Sequence, residues 1–213
     1  MKFMDGLRFG YEVMTRPATA AKRSLSAGEA IKIYYKLSVI PFLLYVAISI
    51  IIIEVGLSPV SSVLSSFSTF FSSAISIPLI LITAIFTLWV AIPLGIAINS
   101  FFYQVVGKVF LNVWKGSYDK TFTAVMMAEL PALMLYWLLA VPGLNFLYIV
   151  LVGIWQYVVL VIALSVQQKT TRLGAAAAVL ITVAAIITVV LLIIFGFVGS
   201  IFQSGLVHGF PVH

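Results

Sequence analysis

The hydrophobic pattern of the chain predicts a series of membrane-spanning helices. Long apolar runs recur along the sequence, and shorter segments that hold nearly all the charged residues separate them. At helical rise, runs of about 17 residues or more match the hydrocarbon core of a bilayer. We therefore expect an all-α, polytopic membrane bundle of five helices. The predicted spans are about 37–53, 74–107, 121–140, 144–165 and 174–202.

An amphipathic helix is predicted between the first and second spans. Over residues 54–73, apolar residues recur every three or four positions and serines fill most of the others. Ser58 followed by Pro59 suits an N-cap and the first helical position. We expect this helix on the outer face, covering the bundle mouth or the lipid surface. A plain packing role is the simpler interpretation.

The second predicted span is too long for one perpendicular crossing. At helical rise, residues 74–107 would reach roughly 50 Å, against about 30 Å of hydrocarbon. The segment is therefore either a tilted helix or a helix kinked by Pro78 and Pro93. Farther along, Pro142 lies between Val141 and Gly143, a sequence that favours a tight turn between the third and fourth spans.

The N-terminal segment, 1–36, is basic and allows two interpretations. Its first half carries apolar residues at helical spacing, which would form a short helix in the headgroup region. These residues are Phe3, Leu7, Tyr11 and Met14. Thr15 and Arg16 precede Pro17, which would end that helix. The other interpretation is a solvated tail without regular structure.

Composition confirms that a bilayer must be the solvent. The 213 residues are 63% apolar and 8% charged, with a mean hydropathy of +1.21. A soluble domain of this size has too little interior to bury so much apolar surface. The sequence predicts one membrane domain, 37–202, followed by a short external tail, 203–213, and no separate enzyme domain.

The positive charges predict the topology. All twelve Lys and Arg residues precede the first span, lie between spans two and three, or lie between spans four and five. Positive residues resist translocation, so these three segments should be cytoplasmic and the C-terminus outside. We expect the cell membrane, with the endoplasmic reticulum or Golgi membrane as the alternative. This distribution explains the net charge of +6 without nucleic-acid binding.

The sequence offers little chemistry for catalysis. It contains no cysteine, and its two histidines, His208 and His213, lie in the C-terminal tail. Paired carboxylates, a nucleophile–base pair, a metal-ligand cluster and a glycine-rich phosphate loop are all missing from the sequence pattern. We expect no enzymatic activity, no catalytic residues, no bound metal and no cofactor.

Glu129 is the acidic residue of the predicted third span and the main candidate polar site. It follows Lys120 by nine residues, and Asn99 precedes Lys108 by nine on the oppositely running second span, so both should lie at matching depth. Gln104 is a shallower candidate. Glu129 either ties helices together through hydrogen bonds or holds a proton or cation in a wet cavity. Pro131 would free a backbone carbonyl beside it.

Several short motifs resemble the Yip family, five-span membrane proteins named for interaction with Ypt/Rab GTPases. The resemblance covers roughly residues 10–202. The residues that carry it are Thr15-Arg16-Pro17, Lys115-Gly116-Ser117-Tyr118 leading into Thr121-Phe122, Leu130-Pro131, Val141-Pro142-Gly143, Ile154-Trp155 and Thr171-Arg172-Leu173-Gly174-Ala175-Ala176. The absence of cysteine and the many Ile and Val residues are typical of a prokaryotic or archaeal member.

The resemblance implies a role in membrane organisation or complex assembly, without a cofactor. The N-terminal segment is short compared with that of trafficking members, which argues against GTPase binding. We expect a non-enzymatic scaffold or accessory subunit whose partners are the lipid bilayer and other integral membrane proteins. The alternative is a small transporter or channel that uses Glu129 as a proton or cation site.

Overall fold

The described part of the chain is helical apart from its turns and the loop at 111–117. A computed structural model describes the backbone of residues 3–23, 25–54 and 73–207 and the side chains of 4–23, 25–52 and 78–196; these ranges contain no β-strand. The helices are α1 (Phe3–Thr15), α2 (Pro17–Ala20), α3 (Ala27–Glu54), α4 (Ser73–Phe86), α5 (Ile92–Val105), α6 (Tyr118–Met134), α7 (Leu144–Leu147), α8 (Gly153–Gln167) and α9 (Arg172–Val207). Three of these helices are followed by a π-helical turn: α4 by Thr87–Ala91, α5 by Val106–Phe110 and α7 by Tyr148–Val152. A 3₁₀ segment, Tyr136–Ala140, follows α6.

Four helical segments are long and apolar enough to cross a membrane. They are Ala27–Ile52, Pro78–Phe110, Leu144–Gln167 and Arg172–Gly196. Most of their large apolar side chains are exposed on the outside of the bundle. Such a surface is stable only in an apolar solvent, which indicates a multi-pass membrane protein.

The predicted third span, 121–140, corresponds to a helix of different character. α6 is 17 residues long and continues after Leu135 as the 3₁₀ segment. It lies at the centre of the bundle and packs against α1, α3, α5 and α8. Because neighbouring helices cover it, α6 carries polar residues such as Thr121 and Thr123, both fully buried.

The long segment that was predicted as the second span is a single run of helix. α4, a π turn, α5 and a second π turn follow one another without a break from Ser73 to Phe110. The first π turn, Thr87–Ala91, immediately precedes the helix that contains Pro93. Both of the expected prolines are therefore accommodated inside continuous helix.

Two predicted features lie on residues outside the described ranges. The amphipathic outer-face helix was expected over 54–73, and residues 55–72 are not described. The two histidines of the C-terminal tail belong to 208–213, which is not described either. Both remain predictions.

The N-terminal helix packs on the bundle through a face that the sequence pattern did not indicate. α1 ends at Thr15, two residues before Pro17, the residue predicted to end it. It contacts α3 and α6 through a buried face of Gly6, Phe9, Gly10 and Val13. Tyr11, which was expected on the apolar face, is 65% exposed. A location in the headgroup region remains a prediction.

The start of α3 is fixed by two kinds of cap. Ser26 and Glu29 form a reciprocal capping box, in which the Ser26 N–H donates to Glu29 Oε2 (3.0 Å) and the Glu29 N–H donates to Ser26 Oγ (3.2 Å). The Ala27 N–H donates to Asp119 Oδ1 of α6 at 2.9 Å. The start of α3 is therefore held beside the start of α6.

Candidate functional site

Glu129 lies inside the bundle, on the central helix. It is the twelfth residue of α6, roughly 16 Å along the axis from Tyr118 at helical rise. The Gln156 carboxamide of α8 lies beside its carboxylate. A carboxylate away from water needs a hydrogen-bond donor, a proton or a cation to offset its lost hydration. Gln156 alone supplies only part of that compensation.

A pocket of about 230 Å³ lies on one side of Glu129. Its polar lining comes from three helices, with Asn99 and Tyr103 on α5, Glu129 on α6, and Gln156 and Tyr157 on α8. The Tyr157 hydroxyl is buried and finds no hydrogen-bond partner among the described residues. A pocket of this size with several polar groups can hold a few water molecules or a hydrated ion.

A second pocket of about 150 Å³ lies beside the first and shares two residues with it. Glu129 and Gln156 line both pockets, and the second adds the side chains of Tyr34, Tyr136 and Tyr148. The neighbouring side chains of Glu129 and Gln156 therefore stand between two polar pockets. Closely packed protein interiors contain few voids of this size, so the pair is not simply embedded in side chains.

Tyr34 is held in place by an irregularity that Pro93 creates. The Ile92 N–H donates to the Thr87 carbonyl in π register, so the next donor in that register would be Pro93, which has no N–H. This leaves the Leu88 carbonyl free, and the Tyr34 hydroxyl donates to it at 2.9 Å.

The neighbouring carbonyl is satisfied in the same way. In α-helical register, Pro93 would be the partner of the Trp89 carbonyl, and the Tyr35 hydroxyl donates to that oxygen at 3.3 Å. Adjacent tyrosines of α3 thus satisfy the two carbonyls that the proline leaves free. In a membrane, where water cannot do this, such partners are required.

The other tyrosines around the second pocket are also anchored. The Tyr148 hydroxyl donates to the Ala132 carbonyl at 2.9 Å, one residue beyond Pro131 on α6. Tyr136, in the 3₁₀ segment, lies beside the Thr87 side chain, and its ring is 5.1 Å from that of Tyr45. Because these aromatic rings and hydroxyls are held in place, the wall of this pocket is preorganised.

The structure places the predicted site residues in two groups. Asn99 and Glu129 line the same pocket, which fits their matching depth. Gln104 lies elsewhere, because its Oε1 accepts from the Thr121 hydroxyl and its Nε2 donates to the Gly116 carbonyl (3.2 Å). Gln156 was not among the candidates, although it is the residue that contacts Glu129.

The Gln104 group is a structural network centred on Gln168. The Gln168 Nε2 donates to Thr121 Oγ1 (2.7 Å), and its Oε1 accepts from the Gly116 N–H (2.7 Å). Gln168 is fully buried. The network joins α5, α6 and the end of α8, and every carboxamide in it has partners, which marks it as a helix tie.

The described residues offer no preformed metal centre. Within ranges 3–23, 25–54 and 73–207, no three His, Cys, Asp or Glu side chains come together. Glu129 is a single carboxylate among amides and phenols. Such a set can bind a proton or a weakly held monovalent cation, and it lacks the ligand charge that divalent sites use.

Comparisons with known proteins identify no relative of this chain. A scan of protein-family models and searches of the curated proteins and the solved structures found no match to this chain.

Proposed function

We propose that the chain crosses the membrane five times, with its N-terminus in the cytoplasm and α6 as the third crossing. Hydrogen bonds between distant segments support this arrangement, because they bring the basic segments to one end of the bundle. The Lys115 N–H donates to the Gln168 carbonyl (3.2 Å), and Gln167 Nε2 donates to the Ala21 carbonyl (2.6 Å). External labelling of a Lys115→Cys variant in intact cells would contradict this topology.

Within this bundle, Glu129 serves as the binding site for a proton or a small cation in a non-enzymatic transporter or channel. The observation that carries this proposal is the pair of polar pockets that meet at Glu129 and Gln156. A carboxylate that only tied helices together would be packed on all sides. Here it faces space and hydroxyl groups from both directions, which suits a site that is occupied and vacated.

Flux measurements on proteoliposomes test the proposal. The full chain is expected to dissipate a proton gradient or to take up Na⁺ or K⁺, each measured separately. Glu129→Gln should lower the rate at least about tenfold, because the neutral amide keeps the shape and the contact with Gln156 but cannot carry the charge.

Glu12→Gln is the matched control for this measurement. It makes the same chemical change at Glu12, which pairs with Arg23 outside the bundle core and should leave flux unchanged. An exposed ion pair of this kind contributes only about 0–1 kcal/mol. Equal flux through wild type and Glu129→Gln, or no flux of any of the three ions, would refute the transport role.

A second candidate function is a scaffold or accessory subunit of the Yip type. The observation that favours it is the outer half of α9. From Val183 to Gly196, every residue except the partly buried Ile186 is exposed, so the rest of the described chain covers little of this stretch. Another membrane protein bound along one side of it would explain why the helix extends beyond its own bundle.

Single cysteines can test this second function, because the chain has none of its own. A photo-crosslinker attached at successive positions from 183 to 196 should capture one partner protein with a helical period of about 3.6 residues. Position 178 is the control, since Ala178 is fully buried against the bundle. Lipid adducts alone at every position would contradict the scaffold function.

A further inference from the structure

The N-terminal segment forms a groove that neither proposed function uses. The groove has a volume of about 460 Å³ and is built by α1, α2 and the residues just after them. Its lining is Arg8, Tyr11, Glu12, Thr15, Arg16, Thr19 and Arg23. Three guanidinium groups, three hydroxyl groups and one carboxylate therefore converge on one concave surface.

The charge of this groove is only partly compensated from within. Arg23 pairs with Glu12, and its guanidinium also lies over the Phe9 ring at 5.3 Å. These contacts hold Arg23 in place. Neither the Arg8 nor the Arg16 guanidinium has a side-chain partner within the described ranges, and both residues are exposed. The lining thus keeps two uncompensated positive charges.

The groove faces away from the bundle but is fixed to it. The groove residues of α1 lie on the side opposite Phe9 and Val13, which pack against the bundle core. The segment after α2 is tied to the end of α8, because Gln167 Nε2 donates to the carbonyls of Ala21 (2.6 Å) and Arg23 (3.3 Å). The groove therefore lies at the end of the bundle where α3 begins and α8 ends, which the proposed topology puts beside the cytoplasmic headgroups; the inference rests on that topology.

We propose that this groove binds a phosphate group, and that the phosphate belongs to the headgroup of an anionic phospholipid. Guanidinium groups bind phosphate oxygens through paired, charge-assisted hydrogen bonds. The Tyr11 and Thr19 hydroxyls can donate further ones, whereas the Thr15 hydroxyl already donates to the Tyr11 carbonyl at 2.9 Å. Glu12 orients Arg23 and leaves the net charge of the lining at two. A site anchored beside the ends of two spans meets lipid phosphates before it meets soluble ones.

A binding assay with a fluorescent short-chain phosphatidic acid tests this site. The full chain is titrated into the lipid in neutral detergent, and fluorescence anisotropy measures binding. The double variant Arg8→Gln/Arg16→Gln should weaken binding by at least about tenfold. The control Lys108→Gln/Lys115→Gln removes the same charge from exposed positions outside the groove and should change binding less than about twofold. An Arg8→Lys/Arg16→Lys variant, which keeps the charge but loses the paired geometry, should fall in between.

Competition identifies the source of the phosphate. Unlabelled phosphatidic acid should displace the probe, and phosphatidylcholine of the same chain length should not. Displacement by inorganic phosphate at the same concentration would overturn the assignment to a lipid. Equal losses in the arginine and lysine double variants would overturn the site itself, because binding would then follow net charge alone. Circular dichroism of each variant checks that the helices are intact.

Discussion

Replacing Gly107 by alanine should destabilise the folded protein by about 3 kcal/mol. The added Cβ would lie 2.1 Å from Cδ2 and 2.3 Å from Cε2 of the Trp114 ring, distances that real atoms do not adopt. The ring cannot simply move away, because Trp114 is only 3% exposed. The backbone N–H groups of Trp114 and Val113 also donate to the Gly107 carbonyl, at 3.2 and 3.0 Å. Unfolding in increasing SDS, followed by far-ultraviolet circular dichroism, measures the loss.

Gly95→Ala is the matched control on the same long helix. A Cβ at Gly95 would meet no atom within 4 Å, and alanine is the better helix former by up to about 1 kcal/mol. This variant should unfold at the same SDS concentration as wild type or at a higher one. Equal midpoints for the two alanine variants would show that the contact between Gly107 and Trp114 does not constrain the fold.

The glycines also show where sequence patterns reach their limit. Spacing of apolar residues selected Phe3, Leu7, Tyr11 and Met14 as one face of α1, whereas the buried face contains Gly6 and Gly10. A Cβ at Gly10 would lie 2.9 Å from the Met134 sulfur. A hydrophobic pattern gives no weight to glycine, although a close helix approach depends on it. The position of the helix was predictable, but the face that packs was not.

The spans themselves were predictable because bilayer thickness sets a one-dimensional requirement. A helix in hydrocarbon must be apolar over a fixed length, so four of the predicted spans overlap long apolar helices. The first of these helices begins at Ala27, ten residues before the predicted span. α6 is the exception, since its neighbours and not the lipid cover most of its surface. A helix shielded by protein can carry threonines and an acid, so its composition gives a weaker signal.

Part of the candidate site was predictable from the sequence, and part was not. Residue counts from the lysines placed Asn99 and Glu129 at matching depth, because each count runs along one helix at fixed rise. Gln156 lies on α8, beyond a 3₁₀ segment, a turn at Gly143 (φ +84°) and a π turn. Each of these changes the rotation of the following helix, so the sequence alone does not say which α8 side chain faces Glu129.

Gln168→Leu is the second variant with a large expected effect, a loss of about 3 kcal/mol. The leucine fills a similar volume but removes both ends of a fully buried carboxamide. The Gly116 N–H then loses its acceptor, and the buried Thr121 Oγ1 loses a donor at 2.7 Å. Each group left unsatisfied away from water costs about 1–3 kcal/mol. The shift is again measured as the SDS midpoint by circular dichroism.

A mutant cycle separates this network from a general loss of packing. Thr121→Val removes the hydroxyl that accepts from Gln168 at 2.7 Å, so the double variant should lose less than the sum of the two single losses. Thr188→Val is the control, because that hydroxyl donates only to the Ala184 carbonyl of its own exposed helix. Additive losses at residues 121 and 168 would show that the two side chains act independently. Coupled losses would mean that this network joins α5, α6 and α8 as one unit at this end of the bundle. The same three helices supply the polar lining of the larger Glu129 pocket, so the network would fix their relative positions there.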